Sequence, residues 1–251
     1  MNQRAQRQLR SDLAWELLST ADFLEKVSIC PDTGPLKAAA NECKGSGGDH
    51  WAYSVSNLIL RLDPSQNGFP AQLISLDCRL NMRVCGLCCI LNCPEDPMTE
   101  VAIDVMLEGR TSATARRHVQ AWHFDRHLSD VNSTEPILAH PRYHFHFGGR
   151  GMMTFVTETG PPCCDSVLLL EGPRIAHAPL DGVLVIDFLL SNFVGEKWRK
   201  LREDQMYKRV IAASQKRNWQ PFVKALLTHW SPQANRIGWA ASDIWPHLCQ
   251  A

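Results

Sequence analysis

The chain has 251 residues, 45% of them apolar, and its 26 Lys and Arg balance its 26 Asp and Glu. A formal charge of zero excludes a global field that would hold the protein on nucleic acid or a membrane, so any such binding must come from local clusters. The longest apolar run, GVLVIDFLL, is broken by Asp187 and falls short of the ~20 residues a spanning helix needs. The N-terminal stretch lacks the apolar segment and cleavage site of a secretory leader, which points to the cytoplasm. Ten cysteines are then expected to be reduced thiols, several buried as small hydrophobes.

In chain order, helical spacing runs from Ser11 to about Val27, with Leu13, Leu17, Leu24 and Val27 on one face and Ser11 as cap. A shorter helix is expected at Leu36–Cys43, followed by a flexible connection at 44–50. The period then changes. Ile74, Leu76, Cys78, Leu80, Met82 and Val84 alternate with polar residues, as do Val101, Ile103, Val105 and Leu107; both segments predict half-buried strands. Further strands are expected near 117–126, 142–148, 152–157 and 166–170. Asp181 is placed to cap an apolar helix over GVLVIDFLLSNF, with a buried strand as the alternative for this segment. An amphipathic helix carrying Trp198, Leu201, Tyr207, Val210 and Ile211 follows, then a third helix capped by Asn218 with Pro221 in its first turn. Strands followed by helices predict an α+β fold. Its antiparallel meander lies in the middle of one domain spanning 1–251. That domain divides into an N-terminal helical part (1–45), a β-rich part (70–172) and a C-terminal helical part (180–251).

Six of the ten histidines fall between 118 and 146. In AWHFDRH the strand period puts His123, Asp125 and His127 on one face and Trp122 and Phe124 on the other. In YHFHF it puts His144 and His146 opposite Tyr143, Phe145 and Phe147. If the two strands pair with their polar faces aligned, His123, Asp125, His144 and His146 become a ligand set for Zn, Mn or Fe. His127 and His140 are candidates to move protons, and Arg150, after Gly148–Gly149, to steady a phosphate or carboxylate. The plainer alternative is a solvated strand face with no ligand.

YHFHFGGRGM resembles the histidine-triad hydrolases, whose alternating histidines precede a Gly-Gly-Arg turn. Gly148 stands where the third histidine belongs, so the triad itself is not carried over. From Trp122 to Gly149 the chain is similar to the TumE-type toxins of prokaryotic toxin–antitoxin pairs and to proteins of restriction and mobile-element loci. Asp125, His127, His140, Pro141, His144 and His146 carry that resemblance, which implies a defence-linked setting.

Two other clusters stand out. Cys85, Cys88, Cys89 and Cys93 have knuckle-like spacing, and a structural zinc site would draw its second pair from farther away, from Cys163–Cys164 or Cys78, although an adjacent pair is a poor geometry for chelation by both thiols; buried free thiols are the simpler reading. The C-terminal helices concentrate Lys197, Arg199, Lys200, Arg202, Lys208, Arg209, Lys216 and Arg217, with Trp198, Tyr207 and Trp219 between them. Such a face suits a phosphate backbone with aromatic stacking, or is the solvated side of amphipathic helices. The leading expectation is a divalent-metal-dependent hydrolase or nuclease acting on a phosphodiester. The alternative is a non-enzymatic component of a multi-protein complex.

Overall fold

The computed structural model describes residues 2–65, 73–88, 96–111, 117–127, 140–148, 173–230, 241–246 and 248. The fold is α+β, with a six-stranded antiparallel sheet in strict sequence order. Its strands are β1 (His50–Arg61), β2 (Leu73–Leu87), β3 (Met98–Thr111), β4 (Arg117–Arg126), β5 (Tyr143–Phe147) and β6 (Ile175–Ala176). The strands expected at 152–157 and 166–170 lie outside the described residues.

Helix α1 (Gln3–Lys26) starts eight residues before the expected point. Asn2, not Ser11, caps it by accepting a hydrogen bond from the Ala5 backbone at 2.9 Å. The added turns, QRAQRQLR, have no apolar period but are made of good helix formers. Helix α2 (Gly34–Gly45) carries Pro35 in its first turn and buries Leu36, Ala39, Ala40 and Cys43.

Strand β1 was not expected, and its bulge explains why. Trp51, Tyr53 and Val55 face the core, then Leu58 and Leu60 do. One extra residue between Val55 and Leu58 slips the phase, and Asn57 takes a left-handed φ of 56° there. The outer margin of β1 is covered by its neighbours. Ala52 N–H donates to Ser46 Oγ, Ser54 N–H to Glu42 Oε2 and Arg61 N–H to the Ile29 carbonyl.

Alternation in every long strand sends one face of the sheet into the core, including Leu80, Val84, Ile103, Val105, Trp122, Phe124, Tyr143 and Phe145. Against this face packs α3 (Gly182–Phe193), whose Phe188 ring lies 5.9 Å from Trp122 and 5.3 Å from Phe145. Asp181 caps α3 as expected, accepting from the Val183 and Leu184 backbones at 3.1 and 3.0 Å.

The expected amphipathic helix is two helices, α4 (Gly195–Glu203) and α5 (Gln205–Leu227). They part at Asp204, whose Oδ1 accepts from the Met206 and Tyr207 backbones. No new helix begins at Asn218, because α5 runs straight through Pro221. A proline inside a helix costs ~3 kcal/mol, but side-chain anchors hold the segment. Asn218 is buried and donates to Asp181 at 2.8 Å, and Trp219 donates to the Pro179 carbonyl at 2.7 Å. A short α6 (Ala241–Ile244) packs on α5. No helix among the described residues is long and apolar enough to cross a membrane.

Arg217 departs from the basic face expected of it. Its side chain is only 9% exposed, not part of a basic surface, and forms two hydrogen bonds to Glu16 at 3.0 and 2.6 Å and one to Asp181 at 3.0 Å. Asp181 also accepts from Ser214 at 2.6 Å. One ionic cluster thereby joins α1, the start of α3 and the middle of α5. Burial by itself lowers the Arg217 pKa, but Glu16 and then Asp181 outweigh it and hold the guanidinium charged.

Candidate functional site

The register of β3, β4 and β5 decides what the histidines can do. On β4 and β5, His123 is paired with His146 and Asp125 with His144. On the β3 side, His123 is paired with Asp104 and Asp125 with Ala102. Side chains directly opposite on one face of an antiparallel sheet approach to ~5 Å, so five polar groups share a patch three strands wide. His123 Nε2 lies 3.3 Å from Asp125 Oδ2, and His144 Nε2 lies 3.9 Å from the same oxygen. The His123 and His146 rings are 4.8 Å apart, edge to face.

His144 has a defined tautomer. Its Nδ1 is 3.0 Å from the Pro141 carbonyl, so Nδ1–H donates there and the Nε2 lone pair faces Asp125. This is how a metal-binding histidine is commonly oriented. His144 and His146 are only 3% and 6% exposed, so the β5 part of this face is not the solvated surface of the plainer alternative. The patch is closed at β5 and open at β3, where Asp104 is exposed.

Burial depresses the His144 pKa to about 4, against smaller upward contributions from Asp125 and the Pro141 carbonyl. It is therefore neutral at neutral pH. Asp125 is pushed up by burial, but the hydrogen bond and charge of His123 lead the opposing contributions and bring its carboxyl below the ordinary value. Because His144 is uncharged above about pH 4, His123 is the principal counter-charge of Asp125. Asp104 moves the other way, raised first by desolvation and further by Asp125, with His123 opposing.

These groups suit a small divalent cation in type and in part in spacing. Bonds of ~2.0–2.1 Å in a tetrahedral site put neighbouring ligand atoms ~3.3 Å apart, the observed separation of His123 Nε2 from Asp125 Oδ2. Among the described residues no three ligating groups already form a finished cage, so closure requires side-chain rotation.

At the end of β4, His127 and His140 stack face to face with centroids 4.3 Å apart, and His140 is 5.9 Å from His144. A buried polar cluster on the other side of the strands fixes this end. Arg126 Nε donates to Asp96 at 2.8 Å and Tyr143 Oη donates to Asp96 at 2.7 Å, while Arg126 also donates to the Thr99 carbonyl. These contacts lock the register that sets His144 opposite Asp125.

The other expected site residues fall elsewhere. Arg150 and Gly149, like Cys89, Cys93, Cys163 and Cys164, lie outside the described residues. Cys85 and Cys88 are free thiols with different neighbours: Cys85 Sγ donates to Glu100, and Cys88 Sγ accepts from Arg10. Lys197, Arg199, Lys200, Lys208, Arg209 and Lys216 are exposed. Arg202 is half-buried, 3.9 Å from Asp187 and stacked on Trp198. The interleaved aromatics are committed to the interior, since Trp198 and Tyr207 both donate to Asp187 and Trp219 to Pro179. These helices belong to the layer behind the sheet, whereas His123, Asp125, His144 and His146 occupy its other face. Among the described residues, basic helices and histidines therefore form no single cleft.

Sequence reasoning missed Asp104. Its alternation placed it on the wet face of β3, but only the register with His123 brings it into the patch. No protein-family description, curated protein or solved structure matches this chain.

Proposed function

We propose that the outer face of β4 and β5 is a divalent-metal centre (Zn, Mn or Fe) serving hydrolysis of a phosphodiester in a nucleotide or nucleic acid. One observation carries the reading: strand register sets His123 against His146 and Asp125 against His144, so four side chains of ligating type share one block of the sheet. His123, Asp125, His144 and His146 are the proposed ligands. A divalent cation there would supply Lewis-acid polarisation of a phosphoryl oxygen. The stacked pair His127 and His140 would hold and pass the proton, His140 being the nearer to His144. Asp104 would orient His123 from the open side. The resemblance on Asp125, His127, His140, Pro141, His144 and His146 supports a prokaryotic defence setting.

The test is metal content by plasma mass spectrometry on tag-free protein never exposed to chelator. Near one equivalent, lost in the His144→Ala/His146→Ala double variant, is the expected result. Retention of metal in that variant, or none after reconstitution, would overturn the reading. A second reading, a non-catalytic component of a larger assembly, draws on Val223, Leu227 and Trp230. These are 49%, 58% and 67% exposed along the end of α5 and the turn that follows it, an apolar stripe of the kind protein partners cover.

A further inference from the structure

If the helical cations stand behind the sheet, the phosphate-holding groups for this site must be sought on its own face. β2 supplies them. Its polar side carries Asp77, Arg79, Asn81 and Arg83, and its register with β3 pairs Asp77 with Glu108, Arg79 with Met106, Asn81 with Asp104 and Arg83 with Ala102, so the two opposed carboxylates bound the anion-holding stretch at that end. Since Asp104 is paired with His123 and Ala102 with Asp125, both arginines are on the same face as the histidine patch and flank its central row. The lateral separation from β2 to β4 is two strand spacings, roughly 10 Å.

Arg79 is exposed, and among the described residues no hydrogen-bond or ion-pair partner is seen for it. Arg83 is half-exposed and held by Glu100 Oε2 at 3.1 Å, with Ser54 Oγ at 3.3 Å. Exposed pairs of this kind are weak and salt-screened, so a phosphate can replace Glu100. The patch is buried at β5 and open across β2 and β3, which gives a polyanion one direction of approach.

We infer that Arg79 and Arg83 form the anion-holding half of this site, binding a single nucleic-acid strand that crosses β2 and β3 toward the histidines. The inference rests on the proposed site for its direction but not on the metal. A span of roughly 10 Å exceeds the reach of one phosphate group and calls for a ligand with a second charge beyond the reacting one. β2 and β3 contain no Phe, Tyr or Trp to stack on a base, so the grip is on the backbone and is independent of base sequence.

The experiment is fluorescence anisotropy with a 5′-fluorescein-labelled oligothymidylate, at low salt and in EDTA, using the full chain. Wild-type protein should bind, with affinity falling steeply as salt rises. Arg79→Glu should weaken binding by about tenfold or more, with Arg79→Gln intermediate and unchanged metal content in both. Lys208→Glu/Arg209→Glu, on the helical layer, should stay within about twofold of wild type. Should the helical variant lose binding while Arg79→Glu keeps it, the helices hold the strand and the inference is overturned. It is overturned equally if wild-type protein does not bind. Because the binding assay is run in EDTA, it reads the grip on the strand without the metal, so failure of the metal reading and failure of this one give different results.

Discussion

Replacing Arg217 with Met separates a structural guanidinium from a phosphate-binding one. Arg217 lies between Glu16 and Asp181 with three hydrogen bonds of 2.6 to 3.0 Å, and all three side chains are less than one-tenth exposed. Met fills much of the space but leaves two buried carboxylates without their cation. Removing one partner of a buried pair costs ~3–5 kcal/mol, and ~2–4 °C of melting temperature per kcal/mol in a chain of this size gives a fall of roughly 10 °C. The loss should depend on pH. Burial already raises the Glu16 pKa even with Arg217 beside it, and without Arg217 it rises further. A carboxyl raised in the folded state disfavours folding when ionised, and the penalty fades as pH drops through its folded pKa. Urea titrations followed by circular dichroism at neutral pH and near pH 5 should therefore show the gap between variant and wild type narrowing on acidification. Lys216→Met, next door and exposed, should change stability by less than ~0.5 kcal/mol. If Arg217→Met melted with wild type and instead lost oligonucleotide binding, the buried-cluster argument would be wrong.

Other outcomes follow from the same contacts. His144 should titrate by NMR with a midpoint near pH 4. A histidine depressed in the folded state contributes stability above its unfolded pKa, so that contribution is lost as pH falls from ~6.5 to about 4, and His144→Gln should flatten the stability profile in that window. Asp125→Asn should weaken metal binding by more than ~10-fold, measured by competition with a chromophoric chelator. Gly86→Ala should cost ~1–3 kcal/mol in a denaturant melt, because a Cβ there would overlap the Pro97 carbonyl and the Trp51 ring. Asp187→Ala removes the acceptor of both Trp198 and Tyr207 and should cost ~1–3 kcal/mol, seen as a lowered melting temperature.

Much of the sheet was legible because alternation is local: β2, β3, β4 and β5 each declare an inner and an outer face in their own residues. β1 was not, since one bulged residue reverses the phase halfway along. The third helix was misread because Asn218 and Pro221 are a good start signal taken alone, and the contacts that overrule it come from Asp181 and Pro179, some forty residues away. The faces of His123, Asp125, His144 and His146 were readable, but their pairing was not, because register is fixed by the whole ladder and by the Asp96 cluster at its end. The same limit hid Asp104. Arg217 looked like its neighbours because charge in a sequence carries no sign of burial; only the opposing Glu16, two hundred residues earlier, reveals it.

The covered margin of β1 has a consequence for how copies of this protein meet. An open strand edge invites a neighbour to continue the ladder, and here three of the donors such a neighbour would use are already bound by Glu42, Ser46 and the Ile29 carbonyl. With these three donors held, templated strand addition along this margin is disfavoured. Removing both side chains, in Glu42→Ala/Ser46→Ala, would expose two of those donors and turn a quiet boundary into a site for fibrillar growth.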